Sequence, residues 1–130
     1  MKTFNNTSGT TASEYAIGVG SAEARNIVLT AVCDGSDSNA LDKQSMPIEV
    51  RGIAFYDMRV IAKNVAGQIV AKQLRGTINT TVTRIEDIFQ EEFSADVILT
   101  SDGTTLTVTC KSTGSLTNYT IYTTIINVDI

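Results

Sequence analysis

The chain has 130 residues, 42% of them hydrophobic and 18% charged, which fits one domain able to bury a core of its own. Ten basic residues lie scattered among fourteen acids, for a net charge of −4 and a pI near 4.6. This balance argues against nucleic acid as a partner, because phosphate binding rests on clustered Lys and Arg.

Residues 1–14 are mostly Thr, Ser, Asn and Gly, and the sequence predicts a polar N-terminal arm there, with one β domain over 15–130. The opening residues lack the apolar stretch of a signal peptide, and no run is long enough to span a membrane, so a soluble chain made in the host cytoplasm is expected. The N-x-T matches at Asn5, Asn79 and Asn118 are read as chance products of a Thr-rich chain. An extended segment is expected over 15–20 and one helical turn over 21–25. A strand over 27–32 follows, closed by the turn residues 34–39. Pro47 suits the start of an edge strand.

The clearest pattern covers 53–63. Ala54, Tyr56, Met58, Val60 and Ala62 share one face, while Phe55, Asp57, Arg59, Ile61 and Lys63 share the other. Gly67 marks a hairpin loop, and the return strand runs over 69–81. Gly76 inside it points to a bulge or a close approach by another segment. Residues 84–93 break the alternation, and apolar residues at 85, 88 and 89 fit a helical turn in a charged loop. Strands follow over 95–99 and 105–110, joined by a tight turn at 101–104.

The last strand carries Tyr122, Thr124, Ile126 and Val128 on one face and Ile121, Thr123 and Ile125 on the other. One core covers one face, so Ile121, Thr123 and Ile125 are expected at a subunit interface of a homotrimer. Seven or eight short strands with frequent turns predict an all-β fold, an antiparallel β-sandwich or jelly-roll-like domain with a short extended arm.

Little here carries chemistry. The chain has no histidine, hence no triad and no ordinary proton shuttle near neutral pH. Gly18-Val19-Gly20 lacks the third glycine of a dinucleotide loop. Cys33 and Cys110 read as small core residues, with a disulfide between them as the alternative. Glu86, Asp87, Glu91 and Glu92 are weighed as a glycosidase carboxylate pair and read instead as a solvated charged loop, since the chain has no Trp and few aromatics. Asp34, Asp37 and Asp42 lack the order of a calcium loop. No catalytic residue, cofactor or metal is expected.

The run Phe55-Tyr56-Asp57-Met58-Arg59-Val60-Ile61-Ala62-Lys63, the loop to Gly67, and Lys72-Gln73-Leu74-Arg75-Gly76-Thr77-Ile78 resemble a C-terminal module of bacteriophage tail fibres and other virion surface proteins. The strand–turn–strand from Ala95 to Cys110, the closing run Thr120-Ile121-Tyr122-Thr123-Thr124-Ile125-Ile126 and the final Asp129-Ile130 continue the likeness, which covers about residues 50–130. Tyr122 stands where the module carries Trp, and Lys72 where it carries an aromatic. The resemblance implies a trimeric, non-enzymatic β domain on the virion exterior. The expected function is a capsid decoration or cement protein held to the major capsid protein or another virion protein, since a fibre needs a stalk. The alternative is a short tail or head fibre tip that binds a host receptor such as a surface glycan.

Overall fold

The computed structural model describes residues 2–6, 10–13, 16–19, 22–33, 45–112 and 116–128, and its side chains over 25–33, 48–112 and 116–128. Among the described residues eleven strands run in chain order: β1 (Lys2–Asn6), β2 (Thr10–Ser13), β3 (Ala16–Val19), β4 (Ala22–Cys33), β5 (Ser45–Glu49), β6 (Ile53–Asn64), β7 (Ile69–Ile78), β8 (Ile85–Glu91), β9 (Ala95–Ser101), β10 (Thr105–Ser112) and β11 (Thr117–Val128). The all-β sandwich expected from the alternation is the fold observed.

Eight strands form one sheet in the order β2-β1-β4-β11-β6-β7-β8, with β3 also paired to β4. β1 and β3 share one edge of β4: β3 lies beside residues 22–25, antiparallel, and β1 beside residues 27–31, parallel. The other sheet is β5-β10-β9. Pro47 falls within β5, an edge strand, where a missing N–H costs no ladder bond.

The two sheets enclose one core. The larger sheet contributes Ile27 and Leu29 from β4, Tyr56, Met58 and Val60 from β6, Leu74 and Ile78 from β7, and Tyr119, Ile121 and Ile125 from β11. The smaller sheet contributes Ile48, Val97, Leu106, Val108 and Cys110. Cys33 and Cys110 are both buried and are not joined in a disulfide, so they are core residues.

Five expectations are corrected. Residues 2–6 and 10–13 are strands rather than an arm without structure of its own: β1 pairs with β4, whose edge offers N–H and C=O groups to it, and β2 pairs with β1. Residues 22–25 continue β4 rather than forming a helical turn. Residues 85–91 are a strand, not a helical turn in a loop. The described residues form eleven strands, more than the seven or eight expected.

The fifth correction concerns β11. Ile121, Thr123 and Ile125 are fully buried inside the chain, so they are closed to a subunit interface. Their pairing explains it: Ile121 stands between Leu29 and Val60, and Ile125 beside Tyr56, all core residues. Tyr122 and Ile126 face outward instead. Asp34, Asp37 and Asp42 lie outside the described residues.

Two glycines shape the path. Gly67 adopts φ +83° in the β6–β7 hairpin, a conformation that L side chains resist. Its N–H donates to the Asn64 carbonyl at 3.0 Å, and the Asn64 side chain accepts from the Gln68 N–H at 3.0 Å. Gly76 lies under the β7–β8 connection, which folds back so that Thr83 Oγ1 accepts from the Thr77 N–H at 2.8 Å. The Tyr56 hydroxyl donates to the Thr83 carbonyl at 2.8 Å, fixing the same crossing from β6. Burial raises the pKa of that hydroxyl, and the Arg84 charge opposes the rise, so it remains a donor at neutral pH.

Candidate functional site

Three features stand out from the framework: an ionic cluster, a hairpin tip and an open sheet face.

The ionic cluster joins β7, β8 and β9. Lys72 lies on the inward parity of β7, between Val70 and Leu74, and its side chain is only 7% exposed. A buried ammonium demands carboxylates. Glu86, Glu91 and Asp96 supply them at 3.3, 3.5 and 3.6 Å. Arg84 enters the same cluster, donating to Asp96 at 2.8 Å, to Glu86 at 3.2 Å and to the Val97 carbonyl at 2.7 Å. Burial works against the Arg84 charge, but the hydrogen bond and charge of Asp96, then of Glu86, outweigh it and raise its pKa. On the other face Arg75 pairs with Asp87 at 2.9 Å.

Of the acids weighed as a solvated charged loop, Glu86, Asp87 and Glu91 are strand residues of β8 and Glu92 follows it; Glu86 and Glu91 hold Lys72 within the larger sheet, and Asp96 of β9 ties the cluster to the smaller one. A cleft of about 400 Å³ opens beside them, lined in part by Lys72, Glu91, Phe93, Asp96 and Lys111. The cluster was legible only in Lys72: a Lys at core parity signals a buried ion pair, but not which acids complete it.

The cluster behaves asymmetrically on substitution. A Lys72→Met chain loses about 1 kcal/mol, because methionine fills the site and the partly exposed carboxylates turn to water. Neutralising the acids together (Glu86→Gln, Glu91→Gln, Asp96→Asn) strands a buried ammonium and costs about 3 kcal/mol. Denaturant midpoints rank the two, and the reverse order contradicts the assignment.

The hairpin tip between β9 and β10 is built on Asp102. Its Oδ1 accepts from the Thr104 N–H at 2.9 Å, the Thr105 N–H at 2.8 Å and Thr104 Oγ1 at 3.0 Å. The bonds from the Thr104 and Thr105 backbone, then from the Thr104 hydroxyl, hold the carboxyl below its ordinary pKa. The stabilisation is therefore complete above the unfolded carboxyl's pKa of about 3.9 and is lost as pH falls through the lower folded value. An Asp102→Asn chain lacks this titration. The melting difference between the two chains should shrink as pH drops from about 5 to about 2; a constant difference contradicts the role.

The open face is the outer side of the larger sheet. Cross-strand neighbours Phe55 and Ile126 are 55% and 40% exposed, Ile61 is 54% and Tyr122 46%. Arg59, Asp57 and Lys63 lie among them, so the face is apolar with charges of both signs. A shallow groove of about 400 Å³ runs between Arg59, Ile61, Ala71, Gln73 and Phe89.

Among the described residues, no group of His, Cys, Asp or Glu is placed to hold a metal ion, and no helix is long and apolar enough to cross a membrane. No family model, curated protein or solved structure matches the chain.

Proposed function

We propose that this chain is a non-enzymatic structural protein of a bacteriophage particle, lying on the exterior as a homotrimer that decorates or cements the capsid. The observation that carries the reading is the outer face of the larger sheet. Phe55 and Ile126 form one row there, and Tyr122 and Ile61 lie beyond the Asp57–Thr124 row, all of them 40–55% exposed. Each such side chain gains about 1.5–3 kcal/mol on full burial, and three copies about a closed axis can cover the face without further growth. The interface expected on Ile121, Thr123 and Ile125 thereby moves to the opposite face of the same strand. The resemblance over residues 50–130 supplies the virion setting and the major capsid protein, or another virion protein, as the partner.

The reading is tested on purified particles from the culture that encodes the chain. Quantitative mass spectrometry should find hundreds of copies per particle, and an antibody to the chain should bind intact particles. Recovery only from the particle-free lysate overturns it. A second reading, a fibre tip that contacts a host glycan, is favoured by the well-braced hairpin tip around Asp102. It requires a few tens of copies or fewer, so the same count separates the two.

A further inference from the structure

β8 ends the larger sheet, with a strand neighbour on one side only among the described residues. Its free edge presents N–H and C=O groups to any extended chain of suitable chemistry. Three apolar side chains stand out along it, Ile85 at 58% exposure, Ile88 at 52% and Phe89 at 70%. By their pairing with β7, Ile85 and Asp87 belong to the outer face, Glu86, Ile88 and Glu91 to the inner one. A strand added beside β8 would meet apolar and acidic side chains on both faces.

Charge decides what kind of strand. Five carboxylates gather at this end of the sandwich: Glu86, Asp87, Glu91, Glu92 and Asp96. The cations paired with them are Lys72, Arg75 and Arg84, and Lys111 lines the adjoining cleft. Negative charge remains in excess even when Lys111 is counted. Glu92 engages neutral partners, accepting from the Ile69 N–H at 3.2 Å and the Gln90 side chain at 2.8 Å.

A second copy is a poor occupant. Pairing β8 with itself about Ile88 brings Glu86, Asp87 and Glu91 of both copies to one seam, and like charges facing across a strand pair are destabilising. The ladder with β7 also slips at Phe89: Ala71 pairs with Gln90 and Lys72 with Ile88, leaving Phe89 as a bulge. A bulge kinks the strand, so the edge cannot stack flat against another sheet. The carboxylates that repel an identical edge favour a strand of opposite charge, short enough to pair on one side of the bulge.

We infer that the β8 edge is a docking site for a short, extended, basic segment of another protein, added as a further strand. The inference stands apart from the virion reading, since it rests on the edge, its bulge and its charge alone. Backbone pairing gives such a contact its affinity, and side chains on alternate positions give its specificity.

The test uses the full chain, labelled with ¹⁵N, and three short peptides as probes. One alternates lysine and valine. The second replaces lysine with glutamate. The third keeps every lysine but replaces the valines with proline, which preserves the charge and removes half the backbone donors. The lysine–valine peptide should shift the amides of residues 85–91 and slow their hydrogen exchange, while the glutamate peptide leaves them unchanged. The proline peptide should bind at least tenfold more weakly. A Glu91→Lys, Glu92→Lys double variant should lose at least tenfold in affinity for the lysine–valine peptide. If that variant does not fold, the proline comparison on the parent chain decides alone. Equal binding of the lysine–valine and proline peptides, equal binding of the basic and acidic peptides, or shifts that miss β8 would each overturn the proposal. So would slow exchange at β8 in the free chain that disappears on dilution, which would place a second copy there.

Discussion

A Val60→Asp chain does not hold its fold. Val60 is 2% exposed, between Ile121 and Lys72 in the ladder, with its side chain in the core between the sheets. Aspartate there is a buried carboxylate whose cross-strand neighbour Lys72 is already held by Glu86, Glu91 and Asp96, a change that costs about 3–5 kcal/mol. A domain of this size has roughly 5–15 kcal/mol of stability in total, so most of it is lost. The neighbouring Ile61→Asp substitution is the control. Ile61 points to the open face at 54% exposure, so its replacement leaves the fold of the single chain intact and loses at most the contact between copies proposed for that face. Thermal melts of the two chains should differ sharply. Equal melting would mean that the two faces of β6 are wrongly assigned.

A Gly76→Val chain should be the next most damaged. A Cβ at position 76 would lie 2.3 Å from the Thr83 carbonyl oxygen, 2.7 Å from Thr83 Oγ1 and 2.8 Å from the Thr83 carbonyl carbon. Two of these are backbone atoms, so the β7–β8 connection itself must move, and it is held by Tyr56 and Thr77. Overpacking against a fixed segment costs about 3 kcal/mol. The loss should show in the denaturant midpoint. It should be accompanied by faster hydrogen exchange at Thr77 and Thr83, whose N–H groups bond across this crossing. Parental stability in this variant would show that the connection does not press on Gly76.

The sequence made some of this fold legible and hid the rest for identifiable reasons. β6 and β10 were readable because one parity is apolar and the other mixed, as a strand covered on one side requires. β11 was not, because Ile125 and Ile126 are adjacent and satisfy either parity. The deciding residue is Tyr119, which shares the parity of Ile121 and Ile125 and is buried with them. Its hydroxyl donates to the Lys111 carbonyl, and burial, reinforced by the Cys33 and Cys110 thiols, pushes its pKa far above the ordinary value.

β8 misled for a different reason. The bulge at Phe89 inserts one residue, so Ile85, Ile88 and Phe89 fall at the spacing of a helical turn although the chain is extended. Residues 22–25 hid in a similar way, since Ala22 and Ala24 are weak strand formers and the buried Arg25 interrupts any apolar alternation. At the ionic cluster, Glu86, Glu91 and Asp96 meet only when β8 and β9 are brought together around Lys72, a contact no local pattern encodes. The open face was half legible: Phe55 and Ile61 were on the mixed side of β6 from the start, but their neighbours Tyr122 and Ile126 were assigned to the core.

The claim on which the proposed function turns is that copies of this chain cover that open face. Light scattering of the parent in dilute solution, beside a Phe55→Lys, Ile126→Lys double variant, tests it most directly. Both substituted side chains are exposed within the chain, so the variant should keep the fold of the single chain. The parent should have three times the chain mass of 13.9 kDa and the variant the mass of a single chain. A parent that is monomeric at micromolar concentration, or a trimer that the double variant leaves intact, would contradict the account.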